Sequence, residues 1–192
     1  MTIRIGRSLT ETELVEGCKK QQARAQRELY ERFAPKMLGV CLRYVKDTAE
    51  AEDIMVASLL KVFDKIHQYS GQGSFEGWVR RIVVNEALGF LRKHKMMQVA
   101  LDLEYAAEAI NYVQIDDGMG AQEIMDVLNE MPVGYKTIFN LYAIEGYNHK
   151  EIAEMLGVSE NTSKSQLSRA RLHLQKKLVE RDRIEDQNNG KS

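Results

Sequence analysis

The segment 148–177 carries side chains that could recognise another molecule through hydrogen bonds. It begins with Asn148 and Glu151, which are spaced to cap the start of a helix. Gly157 can adopt the left-handed conformation that ends a helix, and Ser159 can cap a second helix at once. That second helix carries five Lys or Arg residues. Two helices joined by so tight a turn predict a helix-turn-helix whose second helix enters the major groove of DNA.

The second helix of this segment has one apolar stripe, formed by Leu167, Ala170, Leu174 and Leu178. The polar residues are expected on its remaining surface: Lys164, Ser165, Gln166, Ser168, Arg169 and Arg171. Such a helix can bury its leucines and present hydrogen-bond donors to base edges. The alternative is an ordinary amphipathic helix whose cations are only solvated. The agreement of turn, caps and polar face favours DNA binding.

Charge along the chain is distributed unevenly, although its 192 residues carry a formal net charge of only -1. Residues 61–95 hold seven Lys or Arg against three acids, whereas residues 96–130 hold eight acids and no Lys or Arg. The length allows two small domains. Basic modules on either side of an acidic connector are typical of a protein that binds nucleic acid at two places.

Several function classes find little support in the sequence. The two cysteines, Cys18 and Cys41, have neither a metal-ligand spacing nor a disulfide framework, which fits a reducing cytoplasm. We expect no membrane span, because no apolar run approaches the required length. The four histidines are scattered, and no phosphate-binding glycine loop is recognisable. We therefore expect neither an enzyme nor a cofactor nor a metal site.

Helical periodicity and helix caps predict an all-α chain, with prolines only at positions 35 and 132. The first helix should begin at Thr10, the second should cover residues 23–33, and Asp47 should cap a later one. Pro35 is expected in the first turn of a new helix, which predicts a kink or a break near Ala34.

A loop rich in glycine and polar groups, residues 69–77, precedes a helix that Trp78 is expected to open. This helix combines an aromatic ring with amide and cationic side chains, although Trp78 could equally be a core residue. Residues 96–120 have weak periodicity, which predicts a flexible linker. Helices over 122–131 and 133–145 should support the helix-turn-helix, and the polar tail from Arg181 is expected to fray.

Three blocks in order, ELYERFAPKMLGVCLRYVKDTAEAEDI, SFEGWVRRIVVNEALGFLRK and MPVGYKTIFNLYAIEGYNHKEIAEMLGVSENTSKSQLSRAR, resemble bacterial RNA polymerase sigma factors of the extracytoplasmic-function (ECF) group. The resemblance implies two small helical domains joined by a flexible acidic linker. Sigma region 2 would occupy residues 1–95, the linker 96–120, sigma region 4 with the helix-turn-helix 121–180, and the tail 181–192.

The resemblance also implies that the chain binds core RNA polymerase and promoter DNA, melting the −10 element and reading the duplex −35 element. It places single-stranded −10 DNA on the loop and the helix after it, at Gly71, Ser74, Phe75, Trp78, Arg80, Arg81, Asn85, Arg92 and Lys93. It assigns −35 binding to Ser159, Asn161, Thr162, Lys164, Ser165, Ser168, Arg169 and Arg171. Among these, Arg169 is the strongest candidate for a phosphate or guanine contact.

The helix expected to bind polymerase departs from the family pattern. Asp53 is retained, but Val56 and Ala57 stand where the family usually has a Gln and an acidic residue. Together with Leu60, these residues form the predicted polymerase-binding set. Losing a polar pair from an interface can weaken it by a few kcal/mol, so binding of core polymerase is predicted to need help from another protein or a nucleoprotein complex. The alternative is neutral drift compensated by local packing.

Two other functions remain open from the residues alone. A conventional helix-turn-helix regulator would explain only the C-terminal third of the chain. A sigma-like interaction protein that does not start transcription would account for the altered polymerase-binding helix. An anti-sigma factor is a further expected partner of the family, and the expected location is the cytoplasm, on the nucleoid.

Overall fold

The computed structural model describes residues 7–94 and 121–189, and the side chains of residues 7–94 and 126–181. These residues form helices and turns, without a strand in either range. Contacts within the chain divide it into two units, Met1–Phe90 and Leu91–Ser192. The predicted linker, residues 96–120, lies outside the described residues. No helix in the described part has both the length and the apolar composition needed to cross a bilayer.

The first unit is built from four helices, the last of which extends a few residues beyond the division at Phe90: α1 (Glu11–Lys19), α2 (Ala23–Leu42), α3 (Thr48–Lys65) and α4 (Phe75–Lys93). A short 3₁₀ turn, Ile66–Gln68, follows α3. Thr10 and Glu13 cap α1 reciprocally, and the Asp47 carboxylate accepts from the backbone N–H of Glu50 at the start of α3. The predicted cap residues of both helices are confirmed.

Of the predicted kink or break near Ala34, the break is wrong, because α2 continues through Pro35 as one helix. Phe33, Ala34 and Met37 are all buried, whereas Pro35 is exposed. Proline removes one backbone hydrogen bond, but a bond lost on the solvent side of a helix can be replaced by water. Burial of the residues around Pro35 therefore holds α2 together.

The core of the first unit consists of apolar side chains from all four helices. Leu14, Leu29, Leu59, Phe75 and Leu88 are each at most 1% exposed. At about 25 cal/mol per Å² of apolar surface removed from water, burial of such side chains supplies the main force that holds the helices together.

The second unit contains α5 (Ala121–Glu130), α6 (Val133–Phe139), α7 (His149–Leu156) and α8 (Glu160–Asn189). The predicted helix over 133–145 is therefore divided: its last part, Asn140–Ile144, is a π-helical turn. The helix α8 continues beyond Arg181, where the sequence predicted a frayed tail, because no proline or glycine interrupts it before Gly190.

The core of the second unit joins α5 to the long helix α8. It comprises Val127, Leu128, Met131, Ala170, Leu174 and Leu178, against which Tyr135 and Phe139 pack. The apolar stripe predicted along α8 is buried as expected. This packing turns the opposite side of α8 towards solvent, where its polar side chains can meet a ligand.

Candidate nucleic-acid interface

The turn between α7 and α8 has the predicted geometry. The Asn148 side chain accepts from the backbone N–H of Glu151 (3.0 Å), and Glu151 accepts from the backbone N–H of Asn148 (2.9 Å). Gly157 lies in the left-handed region with φ 70°. The Ser159 hydroxyl accepts from the backbone N–H of Thr162 (3.0 Å) and so caps α8. The helix-turn-helix is thus fixed locally by its own side chains.

The solvent side of α8 presents short polar and cationic groups. Asn161, Lys164 and Ser165 are exposed, whereas Thr162, Ser168, Arg169 and Arg171 are half-buried. The Lys164 ammonium lies 3.3 Å from the Glu160 carboxylate. Exposed ion pairs of this kind contribute at most about 1 kcal/mol, so Lys164 can exchange Glu160 for a phosphate at little cost.

Gln166 differs from the expectation that it lies on the polar surface of α8, because its side chain is fully buried. Neither polar atom of its carboxamide has a hydrogen-bond partner among the described residues. Its polar side chain predicts the solvent side of α8, whereas its position four residues before the buried Ala170 places it next to the apolar stripe. A buried amide without a partner costs about 1 to 3 kcal/mol.

The arginines of α8 are less accessible than the sequence suggested. Nη1 of Arg169 is buried and has no partner within the described ranges. The Arg171 guanidinium lies over the Tyr142 ring, 5.5 Å from its centroid. Both side chains are therefore partly held by the protein, which limits the directions in which they can reach DNA.

A group of side chains behind α8 was not predicted from the sequence. The Tyr142 ring stacks on the His149 ring at 4.7 Å, and His149 Nδ1 forms a hydrogen bond with the Ser163 hydroxyl at 2.9 Å. Burial, with the nearby Lys164 charge, lowers the pKa of His149 and favours its neutral form. The group connects the π-helical turn to α7 and α8. Its members lie on three different elements, so no spacing pattern within one helix indicates it.

The loop before α4 is held by several specific contacts. Gly71 and Gly73 both have positive φ angles, 81° and 78°. The Tyr69 hydroxyl donates to the Gly73 carbonyl at 2.8 Å. The Ser74 hydroxyl accepts from the backbone N–H of Gly77 (3.2 Å) and caps the helix start. The sequence predicted that this helix begins at Trp78, but it begins three residues earlier, at Phe75.

Phe75 differs from its predicted role in DNA contact, because it is completely buried. Its ring meets Phe33 edge-on at 5.5 Å and stacks against Trp78 at 5.8 Å. It is thus a core residue that supports the loop. Trp78 is half-buried, which combines the two roles that the sequence left open for it.

The exposed side of α4 carries the remaining residues predicted to contact −10 DNA. Arg81, Asn85, Arg92 and Lys93 are exposed, and Arg80 is half-buried. Arg81, Asn85 and Arg92 recur at helical spacing, so they share one face. This face combines guanidinium groups with an amide, which is suitable chemistry for a nucleic-acid backbone and its bases.

The residues predicted to bind polymerase form an exposed stripe on α3. Val56 is 43% exposed and Leu60 is 60% exposed, and Asp53 and Ala57 are exposed as well. Ser58 points inwards instead and donates to the Ile54 carbonyl at 2.6 Å. The stripe thus places two apolar side chains beside a carboxylate on the solvent side of α3.

The described residues contain no cluster of His, Cys, Asp or Glu that could hold a metal ion. Both cysteines are buried and unpaired. Burial raises the pKa of the Cys18 thiol to about 11 and that of the Cys41 thiol to about 12. Both therefore remain protonated near neutral pH, which makes them poor nucleophiles.

Comparison with known proteins assigns a family to each unit. The family described as Sigma-70 region 2 matches residues 29–96, and Sigma-70, region 4 matches residues 121–174. RNA polymerase sigma factor SigV of Bacillus subtilis is 31% identical over 141 residues, which cover 72% of this chain and 82% of SigV. The probable RNA polymerase sigma factor RfaY of Xanthomonas campestris is 30% identical over 153 residues, which cover 74% of this chain but only 38% of RfaY.

The fold is similar to that of a solved structure, the sigma factor RpoE in complex with the anti-sigma factor NepR from Bartonella quintana. The TM-score is 0.51 at 22% identity, and the match covers 80% of this chain and 96% of that chain. This likeness supports the helical architecture, whereas the sequence matches carry the family.

Proposed function

Because the chain belongs to the extracytoplasmic-function group of bacterial RNA polymerase sigma factors, we propose that its two units divide promoter recognition between them. The first unit binds core polymerase through α3 and melts the −10 element through α4 and the preceding loop. The second unit reads the −35 duplex through α8. The polymerase supplies the chemistry of RNA synthesis, and the sigma factor supplies recognition in the cytoplasm, on the nucleoid.

The observation that carries this proposal is the presence of a polar face with cationic groups on each unit. Asn161, Lys164 and Ser165 are exposed on α8, immediately after the turn that would bring the helix end to DNA. The N-terminal residues of a recognition helix are those that reach base edges in the major groove. Ser165 is short enough to permit close approach, and Lys164 can bind a phosphate.

Melting of the −10 element requires a surface that holds unpaired bases. Single-stranded DNA is held by cationic groups along its backbone and by stacking or pocketing of its bases. Arg81, Asn85 and Arg92 supply the charge and the amide on α4, and the half-buried Trp78 lies at the base of the loop. Gly71 and Ser74 belong to the exposed loop that would receive a flipped base.

The composition of the exposed stripe on α3 supports a contact with core polymerase that is weaker than is usual in the family, or that needs help from another protein. Val56 and Ala57 replace hydrogen-bonding side chains by apolar ones, Leu60 extends this exposed apolar surface, and the Asp53 carboxylate is exposed beside it. A second protein or a nucleoprotein complex that also contacts the sigma factor would raise the effective concentration of polymerase at α3. An anti-sigma factor is a further partner in this proposal, because the RpoE structure named above is a complex of a sigma factor with the anti-sigma factor NepR.

Run-off transcription tests the proposal. The full chain is combined with core polymerase from the same bacterium, on DNA recovered by crosslinking, with and without candidate helper proteins. The proposal expects transcripts that depend on the sigma factor and start at fixed positions. If DNA is bound but no transcript appears under any condition, the chain is a helix-turn-helix regulator. If polymerase is bound without initiation, it is a sigma-like interaction protein.

A further inference from the structure

The tip of the loop before α4 has a backbone that few residues other than glycine can adopt. Gly71 and Gly73 lie at φ 81° and 78°, on either side of Gln72. A Cβ atom added at either glycine would meet nothing within 4 Å. The glycines are therefore required by backbone conformation and not by crowding, which means that the loop has one specific shape.

Tyr69 stabilises this loop conformation from the core of the first unit. Its hydroxyl donates to the Gly73 carbonyl at 2.8 Å and so closes the loop on itself. Its ring is only 7% exposed and contacts the rings of Phe75 (5.0 Å between centroids) and Trp78 (5.6 Å). The hydroxyl is thus fixed by aromatic packing and cannot follow the loop if the loop moves.

The other end of the loop is anchored by α4. The Ser74 carbonyl accepts from the backbone N–H of Trp78 at 3.0 Å, and its hydroxyl caps the same helix. With Gly73 held by Tyr69 and Ser74 held by the helix, the tip formed by Gly71 and Gln72 has little freedom. Gln72 is exposed there, and its carboxamide can both donate to and accept from the edge of an unpaired base.

We propose that Tyr69 is a positioning residue for base selection in the −10 element: through Gly73 it holds the loop so that Gln72 faces a flipped base. This inference rests on the proposed function, because it assumes that the loop receives an unpaired base. It goes beyond that function by assigning selectivity to a hydroxyl that does not touch DNA. Without this hydrogen bond the loop samples other shapes, and the carboxamide no longer discriminates between bases.

The test compares Tyr69→Phe with Tyr30→Phe in holoenzyme built from the full chain and core polymerase. Tyr69→Phe keeps the ring in the core and removes only the hydroxyl. Tyr30→Phe makes the same chemical change at a tyrosine on α2 that is 44% exposed and outside the proposed DNA surfaces. Each holoenzyme transcribes a library randomised over the promoter, and the sequences of the initiating templates give the base preference at every position.

For Tyr69→Phe we expect the preference at one −10 position to fall roughly fivefold, the effect of one ordinary hydrogen bond. The preference in the −35 element should stay unchanged. Gly73→Ala should lower the same −10 preference, because alanine disfavours the positive φ without causing a clash. Tyr30→Phe should match the wild type throughout. A purely structural role of Tyr69 would instead lower transcription from all templates equally.

Two kinds of result overturn the inference. The first leaves the proposed function intact, and the second overturns the proposed function as well. If the wild type shows a −10 preference that Tyr69→Phe retains, or if Tyr69→Phe loses activity without a change in base preference, Tyr69 does not position the loop. The proposed function then still stands. If the wild-type holoenzyme enriches no base in the −10 half of the library, the proposed function fails and this inference fails with it.

Discussion

At the scale of single residues, packing and not polarity decides which side chains can meet DNA. Gln166 and Lys164 are both polar and lie two positions apart on α8, but Gln166 is buried and Lys164 is exposed. Phe75 shows the same effect in the first unit, because its ring completes the core below the loop. Direct recognition is left to fewer residues than the sequence suggested.

Replacing Gln166 by methionine should stabilise the second unit. The change removes a buried carboxamide that has no partner among the described residues, while nearly conserving side-chain volume. We expect the free energy of unfolding to rise by about 1 kcal/mol. Urea unfolding measures this free energy, and hydrogen exchange at the backbone amides of α8 assigns the change to the second unit.

Gln175→Met is the control for this change, because Gln175 lies on the same helix and is half-buried. It should alter the free energy of unfolding by less than about 0.5 kcal/mol. A clear loss of stability in Gln166→Met would contradict the account, since it would mean that the carboxamide makes a hydrogen bond in solution.

How much of the site could be predicted depends on whether its geometry is local. The sequence correctly predicts that Ser159 caps α8 and that Lys164 and Ser165 lie on its exposed surface, because a cap and its helix are adjacent in sequence. The stack of Tyr142 and His149 with its bond to Ser163 could not be predicted. The stack depends on how three separate elements pack together. The periodicity of apolar residues within one helix carries no information about that packing.

At the scale of elements, capping residues and glycines determine where helices begin and end. Burial of neighbouring side chains determines whether a proline interrupts a helix. Asn148 and Thr10 cap helices as predicted. Pro35, by contrast, does not end α2, because buried residues on both sides hold the helix. The π-helical turn Asn140–Ile144 could not be predicted either. Its hydrogen bonds join residues five apart, and such a single turn has no distinct pattern of polar and apolar residues.

Alanine at two glycines should change stability in opposite directions. Gly157→Ala forces a side chain into the left-handed region at the turn and should cost about 1 to 2 kcal/mol. Gly89→Ala lies inside α4 with open space around the new Cβ, and should add about 0.5 to 1 kcal/mol. The two changes are chemically identical, so each serves as the control for the other.

Denaturant unfolding can separate these two effects by unit. The only tryptophan, Trp78, reports on the first unit through its fluorescence, and hydrogen exchange at α7 and α8 reports on the second. Unchanged hydrogen exchange in α7 and α8 of Gly157→Ala, or a lower midpoint of the Trp78 fluorescence transition in Gly89→Ala, would contradict these expectations.

At the scale of the whole molecule, the proposed function depends on surfaces that lie on separate units. Each unit has its own apolar core and its own candidate DNA-binding face. The first unit has in addition the exposed stripe on α3 that we propose binds polymerase. A substitution on one surface should therefore affect one step of initiation and leave the others intact.

Restoring polar groups on α3 should strengthen the contact with core polymerase. Val56→Gln combined with Ala57→Asp is expected to tighten binding tenfold or more, since about 1.4 kcal/mol corresponds to a factor of ten. Fluorescence titration of labelled full-length protein with core polymerase measures this affinity. The variant should also need less of any helper in transcription.

The matched control is Val179→Gln combined with Ala23→Asp. Val179 is 42% exposed, close to the 43% of Val56, and Ala23 is exposed on α2. This pair adds the same groups away from the α3 stripe and should leave the affinity unchanged. If the wild type already binds core polymerase as tightly as the Val56 and Ala57 variant does, the need for a helper disappears.

Permanganate reactivity of the −10 thymines, read beside nuclease protection of the −35 element, tests the division of labour most directly. With saturating holoenzyme, Arg81→Ala combined with Asn85→Ala should abolish opening of the −10 DNA and retain −35 protection. Lys164→Ala should weaken −35 protection at limiting concentration and leave −10 opening intact at saturation. Normal opening by the α4 variant, or loss of opening at saturation with Lys164→Ala, would contradict the assignment of the two steps to separate units.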